Sequence, residues 1–282
     1  MKILITGATG FVGGFVISEM LQYGHDIVAT SRNSNRAKSK DWFSKVCYIH
    51  ADLNQENPNY FAYFGKPDLL IHLAWEGLPD YHGLFHIEKN LWTQCKFIKN
   101  MVHNGLKSLT IVGTCLEYGM QNGCLTEDMD TKPSTPYGLA KNFLQQYVAE
   151  LHKNYEFHYK WLRLFYIYGP GQNEHSIFAQ LERAVINYCE EFNMTAGEQL
   201  RDYLPIEKAA EYIVKISLKK QVSGIFNCCS GQPVSLRKFI EGYLDKKEYK
   251  IKLNLGYYPY PDYEPLAFWG DNSKLKITLN LN

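Results

Sequence analysis

Tyr137 and Lys141 stand four residues apart in the stretch PSTPYGLAK at 133–141. On a helix that spacing puts both side chains on one face. A lysine ammonium beside a phenol favours the phenolate and lowers the tyrosine pKa toward neutrality. The pair then forms an acid/base able to give a proton to a substrate oxygen or take one from it. Thr114 lies upstream, just past the C-terminal end of the apolar run Ser108–Gly113. Open α/β sheets bind their ligands at that end of a strand, so the Thr114 hydroxyl is placed to hold the reacting oxygen. A tyrosine and a lysine at this spacing are ordinary on a solvent-facing helix. The company of Thr114 and of a glycine-rich turn is what gives them a chemical role.

That turn is TGATGFVGG at 6–14, between the first apolar run and the first helical pattern. Gly7, Gly10 and Gly13 follow G-x-x-G-x-x-G. The first permits a tight turn, the second lets a pyrophosphate approach the backbone, and the third allows close helix–sheet packing. Thr9, Phe11 and Val12 complete the turn, whose helix N-terminus supplies free N–H groups and a positive dipole end. The end of the second strand discriminates between dinucleotides. NAD enzymes place an acid there for the ribose 2′-hydroxyl, whereas this chain reads Ala29-Thr30-Ser31-Arg32-Asn33-Ser34-Asn35-Arg36. Ser31, Arg32 and Arg36 offer hydroxyl and guanidinium donors that suit a 2′-phosphate, so NADP(H) is expected in preference to NAD(H).

The elements that position these groups alternate. Strands are expected at Lys2–Thr6, Asp26–Ser31, Val46–His50, Asp68–Ala74, Ser108–Gly113 and Tyr159–Phe165. Helices are expected at Phe11–Gln22, Leu84–His103 and Gly138–His152. Alternation of this kind implies right-handed crossovers and a Rossmann-type, doubly wound parallel sheet in an α/β fold. Beyond Gly169-Pro170-Gly171 the pattern loosens into shorter helices at Ile177–Tyr188, Ile206–Leu218 and Leu236–Leu244. The expected division is a dinucleotide-binding domain over 1–168, with returning segments near 202–228, and a smaller substrate-binding lobe formed mainly by 169–282.

Bulk composition excludes several classes. The 282 residues are 45% hydrophobic and 15% aromatic, as in a packed globular chain. Thirty basic side chains against 29 acidic ones leave a net charge of +1, which argues against nucleic acid or an anionic membrane as partner. The seven cysteines have no zinc-ligand spacing, so no metal and a reduced compartment are expected. Cys228 and Cys229 are taken as apolar residues ending a strand. With no signal-peptide pattern after Met1 and no run long enough to span a bilayer, a cytoplasmic location is expected.

The motifs together resemble the extended short-chain dehydrogenase/reductases, the NAD-dependent epimerase/dehydratase family. Beside TGATGFVGG and PYGLAK, the likeness runs through Asp52–Leu53, HLAW at 72–75, Asn90, GTCLEYG at 113–119, RLFYIYGPGQ at 163–172, RDYLPIEKAA at 201–210 and GDNSKL at 270–275. The resemblance implies that Thr114, Tyr137 and Lys141 are the catalytic residues and that Lys141 also holds the nicotinamide ribose. It implies that Asp52 and Leu53 border the adenine, that Leu73 and Ala74 line the cofactor groove, and that Arg201 grips the diphosphate of a nucleotide sugar. His72, His103 and His175 match no acid/base of the family and are read as structural or surface residues. A homodimer through Leu84–His103 and Gly138–His152 is a further expectation of the family.

Departures from the family pattern narrow the reaction. Dehydratases carry an Asp-Glu pair after the catalytic Thr, and here Cys115 and Leu116 stand there. Tyr166 replaces an Asn usual after Arg-Leu-Phe, which alters how the substrate is held. With Ser31 and Arg32, these features imply an NADPH-dependent reductase of a nucleotide-linked 4-keto-6-deoxyhexose or heptose, serving surface-polysaccharide synthesis. A nucleotide-sugar 4-epimerase with bound NAD is the alternative. A non-catalytic NADP-binding sensor is disfavoured by the presence of Thr114, Tyr137 and Lys141 together.

Overall fold

The structure, a computed structural model, describes residues 1–281. Its centre is a seven-stranded sheet in the order Gly224–Cys228, His158–Leu164, Ser108–Thr114, Leu69–His72, Lys2–Thr6, Asp26–Ser31, Cys47–His50. Every neighbouring pair is parallel. Near-continuous apolar runs such as Leu69–His72, buried at every position, belong in a sheet covered on both faces. Alternation divides the side chains: Ile3 and Ile5 face one core with Val16, Ile17, Ile213 and Ile216. Leu4 and Leu70 face the other, with Phe97, Ile98, Leu144 and Val148. Strand order reverses between Lys2–Thr6 and Leu69–His72, which opens a crevice at their C-terminal ends.

The glycine turn sits in that crevice under tight packing. Gly7 adopts φ +69°, and a Cβ there would lie 2.8 Å from the Ala74 nitrogen. A Cβ on Gly13 would lie 2.2 Å from the Gly7 carbonyl oxygen. The helix Phe11–Met20 therefore rests directly on the turn it opens.

The helix expected over Leu84–His103 is two pieces. A π-helical stretch, His86–Leu91, runs into the α-helix Trp92–His103. His86 and Asn90 on this stretch are buried. A 3.6-residue period has no means of registering the residue that a π-turn adds. The helix Pro136–Asn154 starts cleanly: the Thr135 hydroxyl accepts from the Gly138 N–H at 3.1 Å and Pro136 occupies the first turn.

The second half of the chain adds smaller sheets and returns segments to the main core. Tyr166–Tyr168, Leu200–Pro205 and Pro233–Ser235 form a small sheet. Helices Ile177–Ile186 and Leu236–Lys247 close a core around Phe178, Leu181 and Ile240. Phe268–Gly270 pairs with Gly123–Leu125, and helix Ser273–Leu279 returns Leu275 and Leu279 to the main core. Among the described residues no helix is long and apolar enough to cross a membrane, and no cluster of side chains has the makings of a metal site.

Two neighbouring glycines test the packing argument. Gly13→Ala is expected to lose at least about 2 kcal/mol in urea unfolding, because the displaced partner is backbone. Gly14→Ala, whose Cβ would meet nothing nearer than the Trp42 Nε1 at 3.7 Å, is expected to be neutral or to gain about 0.5–1 kcal/mol through helix propensity.

Candidate active site

A cavity of about 380 Å³ occupies the crevice at the strand-order reversal. Gly7, Thr9, Gly10, Ser31, Arg32, Arg36, Asp52, Leu53, Leu73 and Ala74, all named above as cofactor-binding candidates, line it. Gly13 lies behind it, against Gly7, while Phe11 and Val12 line a second cavity next door. No side chain caps the helix at Gly10, so its first N–H groups and dipole end are left for an anion. The Thr30 hydroxyl on the same wall is buried with no partner of its own. A phosphate-bearing nucleotide fits this set of donors and this bare backbone.

A buried hydrogen-bond chain runs along the floor of the crevice, which Thr6 and Gln94 line. The Thr6 hydroxyl meets His72 Nδ1 at 2.8 Å, and His72 Nε2 meets Gln94 Oε1 at 2.7 Å. Thr6 Oγ1 also accepts the N–H groups of Leu73 and Ala74 at 3.2 and 3.3 Å. Burial, followed by the nearby Lys141 charge, pulls His72 down to about 3. The imidazole is thus neutral and structural, fixing the loop that borders Gly7.

On the cavity rim the guanidinium of Arg32 pairs with Glu76 at 2.7 Å. The Ser31 hydroxyl lies 3.0 Å from the Tyr48 hydroxyl. Two of the three donors expected for a 2′-phosphate therefore already have partners within the chain. Sequence reasoning overlooked Glu76, which follows the HLAW stretch directly.

The second cavity, of about 570 Å³, brings together the residues expected to be catalytic, Thr114, Tyr137 and Lys141, and those expected to bind substrate, Tyr166 and Arg201. A Cβ on Gly138 would lie 2.6 Å from the Leu116 carbonyl oxygen. Glycine there lets the helix bearing Tyr137 press against the turn after Thr114. Lys141 Nζ donates to the Val112 carbonyl at 2.8 Å and lies 4.0 Å from the centre of the Trp75 ring. Trp75 Nε1 in turn donates to His86 Nδ1 at 3.0 Å. The Tyr137 ring packs among Trp75, Tyr81 and His86.

The protonation of these groups differs from the expectation. Burial pushes the Tyr137 phenol well above its ordinary value, with Tyr81, Glu117 and Cys115 adding, while the Thr114 side chain acts the other way. Burial also pulls Lys141 down to about 7, against the raising effect of Glu117. In so dry a site phenolate and ammonium are both disfavoured, so the lysine does not draw the phenol down. Tyr137 rests as a proton donor. Cys115 is a buried thiol, held protonated by that burial.

Thr114 is held by a residue that the sequence reading did not single out. Glu117, fully buried, accepts the Thr114 N–H at 2.9 Å while the Thr114 hydroxyl accepts the Leu116 N–H at 3.3 Å. The signal was legible: Thr114-Cys-Leu-Glu117 is a capping box. The same carboxylate accepts from Trp161 Nε1 at 3.0 Å and from Arg163 Nε at 2.8 Å. That ion pair is inaccessible to water.

Arg201 is less free than expected. Its Nη2 pairs with Glu264 at 3.1 Å, its Nη1 donates to the carbonyls of Leu200 and Leu266, and its Nε donates to the Tyr166 hydroxyl at 3.2 Å. Of the tyrosines near the C-terminus, Tyr263 reaches the cavity, while Tyr257 and Tyr258 are more than half exposed. Leu78 and Tyr81 bring the loop 76–83 to the same wall. His103 and His175 lie on the surface, away from both cavities.

A parallel sheet with this reversal, a glycine turn at it, and a Thr, Tyr and Lys beside the turn together define a dinucleotide-dependent oxidoreductase. Residues 3–229 match the NAD dependent epimerase/dehydratase family, and the chain belongs to it. It is an NAD(P)-dependent oxidoreductase of the extended short-chain type. It is 32% identical over 274 residues to dTDP-6-deoxy-L-talose 4-dehydrogenase (NAD(+)) of Aggregatibacter actinomycetemcomitans, an alignment covering 96% of this chain and 99% of that protein. It is 24% identical to dTDP-4-dehydro-6-deoxyglucose reductase of Escherichia coli, over 85% of this chain and 79% of that one. The fold is shared with UDP-glucuronic acid 4-epimerase from Bacillus cereus, solved with UDP-glucuronic acid and NAD. The TM-score there is 0.87 at 22% identity, over 100% of this chain and 94% of that one.

Removing the charge of Glu117 strands Arg163 in a dry interior. Glu117→Gln is expected to lose about 3–5 kcal/mol in chemical denaturation. An unchanged midpoint and slope would show that water reaches the pair.

Proposed function

We propose that the protein reduces the keto group of a nucleotide-linked 4-keto-6-deoxyhexose, or a heptose counterpart, to an alcohol. The observation that carries this reading is a buried phenol, held protonated by that burial, in one cavity with the Thr114 hydroxyl and next to the dinucleotide cleft. When bound, the dinucleotide supplies the hydride that reaches the carbonyl carbon. Tyr137 gives its proton to the carbonyl oxygen as negative charge develops there, and Thr114 orients that oxygen. Lys141, fixed by the Val112 carbonyl and Trp75, supplies positive charge near the phenol when protonated. The aromatic walls exclude water, which strengthens each of these interactions. Arg201 and Tyr166 form the substrate wall. The names of the relatives, two of which act at position 4 of dTDP-6-deoxy sugars, support the same substrate class.

By side-chain type, Ser31, Arg32 and Arg36 suit NADP(H). As folded, Arg36 is the member of that set whose side chain has no partner among the described residues. The Arg32–Glu76 pair favours NAD(H), and with it a second reading, a nucleotide-sugar 4-epimerase that recycles a bound NAD. The proposed organisation is a dinucleotide domain over 1–168, with returning segments near 202–228, and a substrate lobe over 169–282. Exposed Trp92 and Phe143 on the two long helices support a homodimer through them. A cytoplasmic role in finishing sugars for surface polysaccharide completes the proposal.

Tyr137→Phe is expected to lower turnover of dTDP-4-keto-6-deoxy sugars about 10²–10⁴-fold, with dinucleotide binding retained. Turnover unchanged by that substitution would remove Tyr137 from the mechanism. The rate is also expected to depend on pH. Lys141 is charged below about 7 and neutral above it. The kcat/KM for reduction should therefore be highest on the acid side and fall as pH rises through that value. A profile that rises there would remove protonated Lys141 from the mechanism.

A further inference from the structure

The second strand ends without an acid, yet the cleft contains one. Glu76 lies on the opposite lip, in the loop after Leu69–His72, and its Oε1 pairs with Arg32 at 2.7 Å. Arg32, Glu76, Asp52 and Thr93 all line the same cavity. We infer that Glu76 is the cofactor-selecting residue of this chain: it supplies from across the cleft the carboxylate that the second strand lacks, and it withholds Arg32 from a 2′-phosphate. The inference rests on the dinucleotide reading proposed above.

An exposed ion pair on its own contributes little, because two long side chains must be ordered to make it. Here the anion is ordered beforehand. Lys89 Nζ holds Oε2 at 2.9 Å and Asn54 Nδ2 holds Oε1 at 2.6 Å. Asn54 is itself fixed by Asp52 Oδ1 at 2.9 Å and by the Thr93 hydroxyl at 3.1 Å. Only Arg32 has to be immobilised. Burial raises the Glu76 carboxyl, but Lys89, Asn54 and Arg32 outweigh it and hold the group ionised. An incoming 2′-phosphate has to break the Arg32 pair and then lie beside a carboxylate of its own sign. A ribose 2′-hydroxyl meets no repulsion, and a carboxylate accepts its proton. The arrangement holds the protein to NAD(H).

The test is calorimetric titration of the full chain with 5′-AMP and with adenosine 2′,5′-bisphosphate, which differ by the 2′-phosphate alone. NADH and NADPH binding is followed in parallel by fluorescence. Glu76→Gln is expected to improve the bisphosphate-to-AMP affinity ratio by about tenfold or more, since a charge-assisted contact is released. Arg32→Ala alone should move that ratio less than about threefold, and in the Glu76→Gln background it should cancel the gain. Circular dichroism spectra and melting temperatures that match wild type certify that the variants are intact. If the ratio in Glu76→Gln stays within about twofold of wild type, or if the gain survives loss of Arg32, the inference is overturned while the dinucleotide reading stands. If the wild-type chain binds neither AMP nor NADH, the dinucleotide reading itself fails, and the inference fails with it.

Discussion

The Glu117 carboxylate receives donors from two elements in a region that water does not reach: the Thr114 amide on one side, and the Trp161 indole and Arg163 guanidinium on the other. A buried ion pair is weak evidence of stability in itself, since burying both charges is costly. Its effect here is geometric. The donors leave the carboxylate one orientation, and through it the turn Cys115–Glu117 is fixed to the strand His158–Leu164. Thr114 has the last residue of its strand as its address and this turn as its clamp. The helix carrying Tyr137 then rests on the Leu116 carbonyl, so the Thr114 and Tyr137 hydroxyls are both positioned against the same turn.

Dryness governs the chemistry that follows. Tyr137 and Lys141 share one desolvated wall, and burial moves each away from its charged form. Trp75 contributes at both ends, its ring against Lys141 and its N–H on His86. At the far wall Arg201 and Glu264 neutralise each other while the Tyr166 phenol stays protonated by burial. The second cavity therefore carries little net charge of its own apart from Lys141. In both cavities a guanidinium is already paired with a carboxylate, Arg201 with Glu264 and Arg32 with Glu76.

Much of this was legible in the sequence. The near-continuous apolar runs marked the parallel strands, and the glycine spacing placed the turn at their crossover, because both effects are local. The Tyr–Lys helix was legible because Thr135, Pro136 and Gly138 set its start within a few residues. Protonation was not legible: that Lys141 would be too buried to draw down Tyr137 depends on Trp75 and on side chains folded in from elsewhere. The π-turn at His86–Leu91 escaped a 3.6-residue pattern. Glu76 escaped because its partner Arg32 lies in the bend after another strand, and no spacing along the chain predicts a contact across a cleft.

Glu117 is near Thr114 in sequence, but the support beneath it comes from far away. Tyr118, whose ring lies 4.4 Å from the Arg163 guanidinium carbon, donates its hydroxyl to Asn227 across a separation of 109 residues. Asn227 in turn donates to the Leu125 and Asp271 carbonyls, and Phe268–Gly270 closes the ladder beside Gly123–Leu125. The crevice is lined entirely by residues between Thr6 and Gln94, whereas the floor of the Thr114 turn draws on segments more than a hundred residues further along the chain. A change at Asn227 or in Phe268–Gly270 therefore reaches that turn while touching none of the residues that line the crevice.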